Sequence, residues 1–60
     1  MKRPDRSENY KEMTTDLKNN EYVSFDEFIN EASHILWEDG LTTRQFILLR
    51  DKAKKHFGIA

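Results

Sequence analysis

Glu27, Glu31, His34 and Glu38 fall on one stripe of any helix that spans them, and Glu31-Ala32-Ser33-His34 has the E-x-x-H spacing of a paired metal ligand. Di-metal carboxylate sites in helical bundles need two such pairs and further glutamates, all facing the interior. This chain has one pair, on a stripe that faces away from its apolar neighbours, so it reads as a solvated face. No metal or cofactor is expected. Hydroxyl nucleophiles fare no better: Ser24 and Thr42 stand where helix caps are needed, and the side chains of Ser33 and His34 diverge on a helix. His56 follows Lys54 and Lys55 with no acid beside it. The only glycines are Gly40 and Gly58, which leaves no phosphate loop, and the absence of cysteine removes thiolate chemistry and disulfides. At 60 residues the chain is too small for a deep pocket. Neither catalysis nor a small-molecule substrate is expected.

Binding remains, and it depends on the elements that carry the side chains. Phe25, Phe28, Phe46, Phe57, Tyr10, Tyr22 and Trp37 are too many aromatics for a disordered tail, although 35% of the residues are charged. No apolar run approaches the ~18 residues of a membrane span, and no signal-peptide core follows Met1. The expectation is a cytoplasmic protein that begins at its natural Met and has no membrane partner.

The best-specified stretch is 25–39. Ser24 and Glu27 form an S-x-x-E capping box, and Val23 and Phe28 form the hydrophobic staple around it. Phe25, Phe28, Ile29, Ala32, Ile35 and Leu36 recur at helical spacing, and Gly40 stands where a helix stop is expected. A second capping box, Thr42 with Gln45, opens a helix over 43–57, with Leu41 and Phe46 as its staple. Phe46, Leu49, Ala53 and Phe57 make its inner stripe. Cationic Lys52, Lys54, Lys55 and His56 suit its C-terminal dipole, and Gly58 closes it. Tyr10, Met13 and Leu17 give a thinner stripe over 9–18, a helix only if something packs on it. Residues 1–8, with one Pro and five charges, read as a flexible arm. The expected fold is all-α: a small three-helix bundle in one domain, 9–60, whose last two helices meet at a tight Gly-containing turn. A chain this short without disulfides or metal often leans on a partner or on a second copy.

The net charge of −1 hides a division. Residues 21–40 carry six acids and no Lys or Arg, whereas 41–60 carry five basic residues and one acid. This is either complementarity between neighbouring helices or a bipolar surface that orients a partner.

At about 100° per residue, Trp37 falls roughly 140° from the centre of the inner stripe of its helix. It is either covered by the first helix, against Tyr10 or Met13, or left as an anchor for a partner, a role in which Trp is enriched. Ile47 and Leu48 also lie outside the inner stripe of their helix, and Leu48 shares the outer face with Arg44, Asp51, Lys52 and Lys55.

The run from Leu36 to Leu49, LWEDGLTTRQFILL, resembles in part the DNA-binding helix-turn-helix motif. Gly40 occupies the turn, Thr42 caps the next helix, and Phe46 and Leu49 face inward. The resemblance implies that Thr43, Arg44, Ile47 and Leu48 meet the major groove, while Arg50, Lys54, Lys55 and the Lys2/Arg3/Arg6 arm neutralise phosphates. Asp39 stands where the motif buries an apolar residue, Leu36 where it has a small one, and six acids on the preceding helix would repel a DNA backbone.

The functional expectation is therefore a small non-catalytic regulatory or inhibitory protein, in size and style resembling bacterial or phage regulators. It binds a protein partner, or itself, through the outer faces of its last two helices. Trp37, Ile47 and Leu48 are its apolar anchors, and Arg44, Lys52 and Lys55 its orienting charges. The alternative is a sequence-specific DNA-binding protein that uses Thr43, Arg44, Arg50, Lys54 and Lys55.

Overall fold

In the computed structural model, which describes residues 6–59, three helices follow one another: α1 (Arg6–Lys18), α2 (Phe25–Trp37) and α3 (Thr43–His56). The expected all-α bundle is the observed one. No described helix is long and apolar enough to cross a membrane.

Each helix ends the same way. After α1, Asn20 takes a left-handed φ of 59°, and the Glu21 N–H donates to the Asp16 carbonyl at 3.0 Å. After α2, Asp39 does so at φ 66°, and Gly40 N–H donates to Ile35 O at 2.8 Å. After α3, Gly58 does so at φ 72°, and Ile59 N–H donates to Lys54 O at 2.7 Å. Each is a Schellman stop. In the second, Asp39 fills the left-handed position expected of Gly40, because a short polar side chain tolerates that conformation. As a result α2 ends at Trp37, two residues before the expected boundary, while α3 ends at His56, one residue early.

The starts follow the capping chemistry in part. Thr42 and Gln45 exchange both bonds of their box, at 3.0 and 3.1 Å. Ser24 Oγ accepts from Glu27 N–H at 3.3 Å. The staple expected of Val23 does not form, because Val23 is 83% exposed. Tyr22 takes its place, its ring edge-on to Phe28 at 4.9 Å between centroids.

Met13, Leu17, Phe28, Ala32, Leu41, Leu49 and Ala53 form the buried core, with Tyr10, Phe25, Ile29, Phe46 and Phe57 packed around it. α3 is the central element: it packs against both α1 and α2, whereas α1 and α2 meet only marginally. α1 begins at Arg6, three residues before its expected start, so 6–8 belong to a helix rather than to the arm. The rest of that arm, 1–5, lies outside the described residues. These first residues of α1 make tertiary contacts. Arg6 pairs with the Asp39 carboxylate and donates to its carbonyl, and Asn9 Nδ2 donates to the Gly40 carbonyl at 2.8 Å. At the other end His56 Nε2 meets Asn20 Oδ1 at 3.1 Å. α1 and α3 therefore run side by side in the same direction, and α2 returns between their ends.

Candidate functional site

The outer stripe of α2 begins at its cap. Asp26 and Glu27 occupy the first turn, where the helix dipole favours carboxylates. Glu27, Glu31, His34 and Glu38 are all exposed, and His34 Nε2 lies 3.3 Å from a Glu38 oxygen. An exposed pair of this kind contributes little, on the order of 0–1 kcal/mol. Trp37 closes the helix and is 84% exposed. Of the two placements open to it, cover by α1 is excluded, because α1 lies along α3 and its Met13 turns into the core.

On α3, Ile47 is 42% and Leu48 44% exposed. Leu48, Lys52 and Lys55 follow at i, i+4 and i+7, so they share a stripe on the outside of the central helix. Arg44, Lys52 and Lys55 are exposed, and none of them forms an ion pair among the described residues. The residues of the helix-turn-helix alternative lie on the same helix: Thr43, Arg44, Arg50 and Lys55 are exposed and Lys54 is half-buried.

Two features escape sequence reasoning. The first is a cleft of about 290 Å³ between α1 and α3, lined by Thr14, Leu17, Lys18, Lys52, Lys55 and His56. Leu17 supplies a buried apolar floor, and the Thr14 hydroxyl is already donated to the Tyr10 carbonyl at 2.9 Å. Three lysines and a histidine therefore ring an apolar hollow. The cleft depends on which helix α1 packs against, which periodicity alone does not specify. The second is Tyr22. Burial, then the carboxylates of Asp16, Glu31, Glu12 and Glu21, push its phenol up to about 12. Its neutral form is the one that fits against Phe28.

Exposed apolar side chains thus share α3 with exposed cations and α2 with exposed carboxylates. No family model matches this chain, and neither the curated proteins nor the solved structures give a match.

Proposed function

We propose that this protein is a small non-catalytic regulator or inhibitor that acts by binding another protein through the outer faces of α2 and α3. The exposure of Trp37 carries the reading. A Trp that is 84% exposed at a helix end contributes nothing to its own core, and Trp is the residue most enriched among interface anchors. Ile47 and Leu48 add exposed apolar area on α3, and the exposed cations Arg44, Lys52 and Lys55 favour an acidic partner. The test is capture of a partner by the wild-type chain, repeated with Trp37→Ala and with Leu48→Ser. Loss of capture in both, at unchanged thermal stability, supports the surface. Capture that survives both substitutions sinks it.

A second reading, a DNA-binding protein with α3 as recognition helix, draws support from Arg44, Arg50, Lys54 and Lys55, none ion-paired among the described residues. Against it stand the exposed acids Asp26, Glu27, Glu31, Glu38 and Asp39 on and beside α2. Duplex DNA titrated at low salt decides, because phosphate contacts are strongest there.

A further inference from the structure

The cleft and the exposed Trp sit at opposite ends of the molecule. Trp37 stands next to the corner where Arg6 and Asn9 bond to Asp39 and Gly40. The cleft lies where α1 and α3 finish, beside the Asn20–His56 contact, in a body 37 Å long. Trp37 cannot enter the cleft of its own chain, but that of a second copy can.

The two ends are complementary in shape and in charge. The cleft is an apolar hollow, floored by Leu17 and ringed by Lys18, Lys52, Lys55 and His56. None of the three lysines forms an ion pair among the described residues. The end that carries Trp37 is its counterpart: one projecting indole followed directly by the exposed carboxylates Glu38 and Asp39, in a stretch of 20 residues without Lys or Arg. An apolar side chain framed by carboxylates is the occupant that an apolar hollow framed by ammonium groups selects.

We propose that the protein self-associates head to tail, with Trp37 of one molecule seated in the α1–α3 cleft of the next and the adjoining carboxylates Glu38 and Asp39 set against Lys18, Lys52 and Lys55. The proposal rests on the reading of Trp37 as a protein-binding anchor and names its partner. Because the two surfaces differ, the contact is heterologous and repeats into open chains or closes as a ring.

Light scattering or sedimentation across a concentration series tests it. The average mass should climb from the monomer value of 7.2 kDa to twice that or more, and added salt should reverse the climb. Trp37 emission should shift to the blue over the same range. Two variants then separate the ends: Trp37→Ala removes the knob, and Lys18→Glu with Lys52→Glu reverses the socket. Both alter exposed side chains, so each should melt as a folded monomer. Mixed, they should form a pair of twice the monomer mass and nothing larger, because one knob and one socket survive. A wild-type chain that stays monomeric with water-exposed Trp37 emission overturns the proposal. So does a mixture that fails to pair, or assembly that persists in either variant alone. Partner capture lost with Trp37→Ala would leave the anchor standing while self-association falls, whereas capture unaffected by it removes the anchor itself.

Discussion

The side-chain amide of Asn9 donates to the backbone carbonyl of Gly40 at 2.8 Å, across 31 residues of sequence. This bond, with the adjacent Arg6–Asp39 pair, fixes the start of α1 to the corner between the other two helices. It also explains why the corner holds a glycine, since the Asn9 amide needs close access to the backbone there.

Gly40 and Gly58 should respond differently to alanine. A Cβ at Gly40 would stand 2.7 Å from Ile35 Cγ2 and 2.9 Å from Asn9 Nδ2. Gly40→Ala should cost roughly 1–3 kcal/mol, the range for overpacking, and should loosen α1. At Gly58 the space is open and only the left-handed φ of 72° is strained. Gly58→Ala should cost about 1 kcal/mol and leave α1 in place. Urea melts followed by circular dichroism measure both.

Removing the amide itself is milder. Asn9→Ala deletes a half-buried hydrogen bond and should cost about 1 kcal/mol. Arg6→Ala breaks an exposed pair and should cost less, about 0.5 kcal/mol. A double-mutant cycle should show coupling between them, because both hold the same helix start.

The neighbours Leu48 and Leu49 divide core from surface on α3. Leu49 is fully buried and Leu48 44% exposed. Leu49→Ala should cost about 2–5 kcal/mol, enough to unfold a domain of this size, whose core rarely supplies more than about 3–5 kcal/mol. Leu48→Ala should change stability by less than about 0.5 kcal/mol. Equal losses from the two substitutions would contradict the burial pattern.

Alkali should act through Tyr22. Its phenol is raised to about 12 in the fold against an ordinary value near 10. The unfolded chain therefore gives up this proton first as pH rises. The stabilising contribution is complete below about pH 10 and disappears as pH climbs through 12. Tyr22→Phe should flatten that loss, and chemical denaturation at pH 9 and pH 11.5 checks it.

Most of the architecture is legible in the sequence because its signals are local. Ser24, Thr42 and Gln45 cap the helices that their spacing announces, and the inner stripes of α2 and α3 supply the core. Three features were hidden, each decided by residues distant in sequence or by competition between near neighbours. α1 includes 6–8, where Arg6 bonds to the α2–α3 corner. Tyr22, with more surface to bury than Val23, wins the place against Phe28. Asp39 takes the left-handed φ because Gly40 is needed one position later, where backbone and side chains come close. At the surface, helical angle alone sets Trp37 apart from the core. The α1–α3 cleft needed knowledge of which helix α1 chooses.

That choice sets the order in which the molecule comes together. The α2–α3 hairpin can zip up from a short loop, but α1 must wait for a strip of α3 more than thirty residues downstream. The earliest helix in the chain should therefore dock last and leave first. Amide protons of α1 should exchange ahead of those in α3, and each departure would dismantle the lysine-ringed hollow while the Trp-bearing hairpin stays assembled.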